Sequence, residues 1–108
     1  MSKAWKNLER EVAKALNGTR RSRVNYGESI EDVAHPFFAI ECKYGKCIPK
    51  KALEGKKCRF LDKAFAQAKS YNPGKQPIVC LKTPRMKGFV AIVGYPDKPL
   101  ATHFPPYL

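Results

Sequence analysis

The stretch Asp32-Val33-Ala34-His35-Pro36-Phe37-Phe38-Ala39-Ile40-Glu41-Cys42-Lys43 constrains this chain more than any other. It reads as a short hairpin with a tight corner at His35-Pro36, running into a strand that ends in Glu41-x-Lys43. Successive strand side chains point to opposite faces. Phe37, Ala39, Glu41 and Lys43 therefore share one side, and Phe38, Ile40 and Cys42 share the other, the natural core side. An acid and a lysine on one strand face are either an ordinary surface ion pair, worth little, or part of a site. Just upstream, Ile30 and Asp32 share a face, as do Glu31 and Val33, so the acid that faces inward depends on register.

The surroundings of that stretch bear on the choice. At 108 residues the chain is one domain, long enough for a single modest core. Lys and Arg number 21 against 9 Asp and Glu, a formal net charge of +12. Such an excess on a small surface makes a polyanion the expected partner. No run approaches transmembrane length, and Met1-Ser2-Lys3-Ala4-Trp5-Lys6 lacks the apolar core of a signal peptide. An intracellular nucleic-acid protein is expected, in the cytoplasm of a prokaryotic cell or of a host cell if phage-encoded, neither secreted nor membrane-bound. Cys42, Cys47, Cys58 and Cys80 do not form the paired Cys-x-x-Cys of a zinc site, and only His35 and His103 could supplement them. Three of them sit beside apolar or strand-like residues and read as reduced, small hydrophobes.

Residues 4 to 17 have the spacing of an amphipathic helix stopped by Asn17-Gly18. At about 100° per residue, Trp5, Leu8, Val12 and Leu16 define its buried stripe. Glu9 falls on the edge of that stripe, and Glu11 falls on the far side with the lysines. A carboxylate tilted into an apolar face needs a cation, a metal or a hydrogen-bonding cleft, unless its head snorkels into water. The basic turn Arg20, Arg21 and Arg23 suits phosphate contacts and leads into a strand from Val24 to Gly27.

Beyond Lys43 the chain is strongly basic. Lys46, Lys50, Lys51, Lys56, Lys57 and Arg59 face a single acid, Glu54. This connection reads either as a mobile element that grips a polyanion or as a disordered, solvated loop, with a short helical turn after Pro49. Phe60, Leu61, Ala64, Phe65 and Ala68 mark a second helix, with Gln67 and Tyr71 one turn apart on its flank. Strands follow over Ile78–Lys82 and Phe89–Tyr95, and Arg85 and Lys87 crown the turn between them. From residue 96 to 108 a proline- and aromatic-rich tail is expected to lack regular structure. The order α-β-β-β-α-β-β predicts an α/β domain, a mixed central sheet flanked by helices.

With these elements placed, Glu9, Asp32 and Glu41-x-Lys43 form a pattern that resembles the PD-(D/E)XK nuclease superfamily. The likeness is greatest to archaeal and phage-type Holliday-junction resolvases and covers residues 5 to about 95. Glu31 stands where that superfamily commonly has proline. The resemblance implies a restriction-endonuclease-like fold and a metal-dependent endodeoxyribonuclease. Hydrolysing a phosphodiester sets an anionic nucleophile against an anionic phosphate, which calls for a divalent cation. Mg²⁺, with Mn²⁺ able to substitute, would take oxygen ligands from Asp32, Glu41, the Cys42 backbone carbonyl, and Glu9 directly or through water. Lys43 would orient the attacking hydroxide or stabilise charge on the phosphorane-like transition state. Ser29 and the Gln67-x-x-x-Tyr71 pair resemble accessory positions of some branches. Lys46, Lys50, Lys51, Lys56, Lys57, Arg85 and Lys87 would join the arginine turn in binding DNA. Junction resolution needs two cuts and so implies a homodimer; no small-molecule cofactor is implied. Two alternatives stay open: an endonuclease of the same chemistry acting on flaps, nicks or single strands, and a non-catalytic DNA-binding module on this fold.

Overall fold

A computed structural model describes residues 4–20 and 33–106 of the chain. The first helix, α1 (Ala4–Leu16), ends where the sequence predicts. Asn17 takes the left-handed conformation at φ 59°, and the Gly18 N–H returns to the Ala13 carbonyl at 2.8 Å, a Schellman closure of the last turn. Leu8 and Val12 are fully buried, but Trp5 is 44% exposed, against the expected stripe. The packed face is centred on Leu8 and Val12, and the first turn stands clear of it.

Six strands lie in the sheet in chain order: β1 (Thr19–Arg20), β2 (Val33–Ala34), β3 (Phe38–Tyr44), β4 (Gln76–Lys82), β5 (Phe89–Val93) and β6 (Leu100–Phe104). Neighbours run antiparallel except β3 and β4, which are parallel from Phe38↔Gln76 to Tyr44↔Lys82. A parallel step requires a crossover, and here α2 (Lys50–Leu53) and α3 (Arg59–Tyr71) supply it. The expected mixed sheet flanked by helices is present. The predicted strand over Val24–Gly27 lies outside the described residues.

Two apolar clusters sit on opposite faces of the sheet. Leu8 and Val12 of α1 pack with Ile40, Ile78, Cys80, Phe89 and Ala91. Leu61, Ala64 and Phe65 of α3 pack with Val79, Leu81, Val90 and Ile92. β4 and β5 are thus covered on both faces, which is why they read as unbroken apolar runs rather than alternating ones. Each large side chain so buried stabilises the fold by about 1.5–3 kcal/mol. The same double covering corrects the expectation for β3. The side carrying Ala39 and Glu41 is core as well, at 1% and 3% exposure, because α3 lies over it.

Three further expectations change. The basic connection after β3 is an ordered part of the fold: Ile48 and Ala52 are buried in the α3-side cluster, and Pro49 opens α2. Its lysines stay outside while two apolar residues tether it, so charge content alone misjudges it. The tail carries a regular strand, since Pro99 and Pro105 bracket Leu100–Phe104 and leave it free to pair along β5. Phe104 stacks on Phe89 at 5.0 Å. Gly88, at φ 76°, lets this strand close in, because a Cβ there would lie 1.8 Å from the Phe104 carbonyl oxygen. Finally, Glu11 does not face outward among the lysines. It reaches Lys82 at the end of β4, Oε1 to Nζ 2.6 Å.

No helix among the described residues is long and apolar enough to cross a membrane.

Candidate active site on the third strand

β3 is the first half of the parallel pair, and its polar end lies under the C-terminal half of α3. The two-residue strand period brings Glu41 and Lys43 to one face, and their side chains meet at 2.9 Å, Lys43 Nζ to Glu41 Oε2. The other carboxylate oxygen accepts a 2.6 Å hydrogen bond from the Tyr71 hydroxyl. One helical turn back, Gln67 joins the two: its Nε2 donates to the Tyr71 oxygen at 3.0 Å, and its Oε1 accepts from Lys43 Nζ at 3.0 Å. Four side chains thus close a ring, two from a strand at i and i+2 and two from a helix at i and i+4. Only one orientation of the Gln67 amide serves both neighbours, with oxygen toward the ammonium and nitrogen toward the phenol.

The ring has an inside and an outside. Glu41 is 3% exposed and Lys43 35%, so the carboxylate is held from below while the ammonium stands at the rim. A buried carboxylate costs several kcal/mol unless its oxygens are bonded and its charge is matched, and here both conditions are met. Such an arrangement can hold a carboxylate rigidly toward a cation and present a positive group to an incoming anion. A Glu41 oxygen released from Lys43 or Tyr71 could serve as a ligand to a cation.

The other predicted site residues are placed as follows. Glu9 is buried at 7% exposure, as its position at the stripe edge predicts. It arises from α1, on the sheet face opposite to Glu41. Cys42 lies between the two ring residues, its side chain turned to the α1-side cluster. β2 pairs with β3 only at Val33–Ile40, so among the described residues Glu41–Tyr44 are paired in the ladder with β4 alone. Asp32, Ser29, Arg21 and Arg23 lie outside the described residues; Arg20 is in β1. Among the described residues no group of three or more His, Cys, Asp or Glu is placed to hold a metal ion. The donors that are present, carboxylate and carbonyl oxygens, suit a hard divalent cation.

Lys46, Lys50, Lys51, Lys56, Lys57, Arg85 and Lys87 are all exposed. Lys46 and Arg85, with Thr83 and Pro84, line an open cleft of about 440 Å³ beyond the C-terminal ends of β3 and β4. Parallel strands commonly present ligands at that end. Lys57 is less free, since it pairs with Asp62 at 2.9 Å and lies over the Tyr95 ring.

Two groups of residues carry structural chemistry that sequence reasoning missed. His35 is 9% exposed and pins the hairpin corner to α1. Its Nδ1 accepts the Phe37 and Phe38 backbone N–H groups at 3.0 and 3.3 Å, which leaves the proton on Nε2 to donate to the Leu16 carbonyl at 2.8 Å. The His-Pro corner marks the turn, but nothing local points to Leu16. The second group joins Tyr95, Asp62 and Lys57. The Tyr95 hydroxyl donates to Asp62 and accepts the Cys58 N–H at 3.2 Å. That hydroxyl, and then Lys57, holds the Asp62 carboxyl below its usual range. Burial, reinforced by the Asp62 bond, pushes the Tyr95 phenol up.

Compared with protein-family models, curated proteins and solved structures, the chain matches none.

Proposed function

We propose that this protein is a metal-dependent endodeoxyribonuclease of the PD-(D/E)XK type, cutting branched DNA and acting as a homodimer. The observation that carries the reading is the closed ring on β3. Glu41, Lys43, Gln67 and Tyr71, chosen from the sequence as site candidates, meet at hydrogen-bond distances around one buried carboxylate. The +12 net charge and the open basic cleft at Lys46 and Arg85 supply the affinity for a polyanion.

Glu41 would hold Mg²⁺ with Asp32 and the Cys42 carbonyl, whereas Glu9 stands on the helix that covers the other face of the sheet. When bound, the ion supplies an acidified water and positive charge beside the phosphate. Tyr71 and Gln67 fix the Glu41 carboxylate and the Lys43 ammonium at a set separation. Lys43, at the rim, faces the negative charge that builds on the phosphoryl oxygens as the bond breaks. Its other neighbour, the Gln67 oxygen, is neutral and surrenders the ammonium easily to a phosphate.

The ring also favours one alternative. A carboxylate whose two oxygens are already engaged is what a purely structural ion pair needs, as in a DNA-binding module without catalysis. Cleavage separates the two. Wild-type protein with Mg²⁺ or Mn²⁺ is expected to cut a four-way junction faster than matched flap, single-stranded or linear DNA, and Glu41→Gln is expected to reduce cutting to background. Absence of cutting on every substrate with both metals would establish the binding module. Preferential cutting of flaps or single strands would keep the chemistry and replace the junction as substrate.

A further inference from the structure

The two edges of the sheet are finished differently. At one edge β1 has only two residues, Thr19–Arg20, the second of them an arginine. At the other, β6 runs through five register pairs with β5, from Val93↔Leu100 to Phe89↔Phe104, without a bulge. Every second residue of an edge strand turns its N–H and C=O outward, and among the described residues no strand pairs with that side of β6. Leu100 is 61% exposed, and Ala101, Thr102 and His103 are exposed as well. Edge strands are usually guarded by a lysine, a bulge or a proline within them. β6 has none of these, and Pro99 and Pro105 stand just outside it. Charge marks the segment too: in a chain of net charge +12, residues 99 to 106 hold no Lys, Arg, Asp or Glu.

We propose that β6 pairs antiparallel with β6 of a second copy about a two-fold axis at Thr102, joining two six-stranded sheets into one. Phe104 stacks on Phe89 of the α1-side cluster, so by the strand period Leu100, Thr102 and Phe104 share the α1 side of the sheet. In this register Thr102 faces the partner's Thr102, and Leu100 faces the partner's Phe104. The five residues are thus self-complementary, a Thr–Thr pair flanked by two apolar pairs. On the other side Ala101 faces the partner's His103, and each His103 ring is turned back to the Lys87 carbonyl of its own chain at 2.7 Å. Two chains of net charge +12 repel each other, and a seam without charge is where their backbones can approach most closely. Lys98 falls opposite the partner's Pro106, so no cation meets a cation along it. Such an isologous pairing occupies the free edge of both copies and closes at a dimer. A strand of another protein would need no self-complementary register. The pairing gives the proposed nuclease dimer its interface, and it rests on the dimer of that reading, not on its chemistry.

A seam this short belongs among weak interfaces, so sedimentation of the full-length protein should extend to about 200 µM. Wild-type protein is expected to form dimers in that range, and more of them as salt is raised, since salt screens the repulsion between the two chains. Thr102→Lys and Thr102→Glu each set like charges face to face and should each weaken self-association about tenfold or more. An equimolar mixture of the two variants should recover it. Thr102 is exposed, so the circular dichroism of each variant should match wild type. In a Cys47→Ser background, which removes the exposed native thiol, Thr102→Cys should cross-link two chains on mild oxidation, because directly opposed strand residues lie within disulfide reach. Ala101→Cys, two residues out of register with its own copy, should not. Wild-type protein that stays monomeric at about 200 µM overturns the pairing, and the homodimer with it. A dimer whose strength is unchanged by Thr102→Lys, or in which Thr102→Cys does not cross-link, overturns the pairing alone. A dimer that responds as expected but cuts no DNA supports the pairing and overturns the nuclease.

Discussion

Among the described residues, two of the carboxylate–lysine pairs look alike and are built for different purposes. On the α3 side of the sheet, Glu41 meets Lys43 at 2.9 Å; on the α1 side, Glu11 meets Lys82 at 2.6 Å. The first pair is lopsided, a carboxylate 3% exposed beneath an ammonium 35% exposed. In the second, both side chains are nearly enclosed, at 16% and 17%. Glu41 has both oxygens bonded, whereas Glu11 Oε2 is buried without a partner among the described residues. A pair whose cation reaches solvent and whose carboxylate is held from two sides can accept an anion without losing its footing. A pair closed on itself and one bond short joins α1 to the end of β4 and offers nothing to a ligand. The same two residue types therefore make a candidate site or a strut, according to which partner stays wet.

The sharpest way to break this contrast is to remove the lysine from each pair. Lys43→Ala is expected to slow cleavage about 100- to 1000-fold and to lower the melting temperature as well, since it strips the matching charge from a buried carboxylate. Lys82→Ala is expected to leave cleavage per folded molecule intact while costing about 2 kcal/mol of stability. That figure lies below the usual cost of breaking a buried pair because about a sixth of each side chain still meets water. A loss of that size would lower the melting temperature by about 8–16 °C in a domain this small. Glu11→Leu combined with Lys82→Met should recover most of it, since an apolar pair leaves no charge stranded. Equal loss of cleavage in the two lysine variants would erase the distinction.

A smaller effect is expected within the ring itself. Tyr71→Phe removes the hydroxyl that donates to Glu41 and accepts from Gln67, at a cost of about 1–2 kcal/mol. Gln67→Ala should cost less, because its partners are partly hydrated. The double variant should lose less than the two singles together, a coupling of about 0.5–1 kcal/mol, as for residues sharing one network. Urea denaturation of the four proteins measures it. Strict additivity would show that the four side chains merely adjoin.

The comparison also shows how much of the molecule was legible in its sequence. Glu41, Lys43, Gln67 and Tyr71 were readable because each pair lies within one element, where strand and helix periods fix which side chains share a face. Helix α1 and its stop at Asn17-Gly18 were readable for the same reason. Glu11–Lys82 joins residues 71 apart in the chain, and no local period links them. The proline content of the tail as a whole hides strand β6, which needs only the five residues between Pro99 and Pro105 to be free of proline. The basic connection misled in the opposite way: lysines dominate its composition, while Ile48 and Ala52 decide its place. Long-range placement, not element type, is where the sequence fell silent, and Asp32 lies outside the described residues.

An exposed acid–lysine pair lies toward the lower end of the scale. Asp62 and Lys57 meet at 2.9 Å with 47% and 70% of their side chains exposed, so water and salt screen their attraction. What distinguishes Asp62 is the Tyr95 hydroxyl, the foremost cause of its lowered carboxyl pKa, ahead of Lys57. A folded-state pKa below the unfolded one contributes stability that is complete above the usual carboxyl value of 3.8 and fades as pH falls through the folded value. Asp62→Asn should therefore shift the melting temperature slightly at pH 7 and not at all once the carboxyl is protonated in both states. Tyr95→Phe should remove more of that acid-side difference than Lys57→Ala, and added salt should diminish only the lysine's share. Melting curves between pH 2 and 7 test the order. If Lys57→Ala flattens the acid limb more than Tyr95→Phe, charge rather than the hydroxyl governs even this exposed pair, and burial of the acid is not what separates it from Glu41.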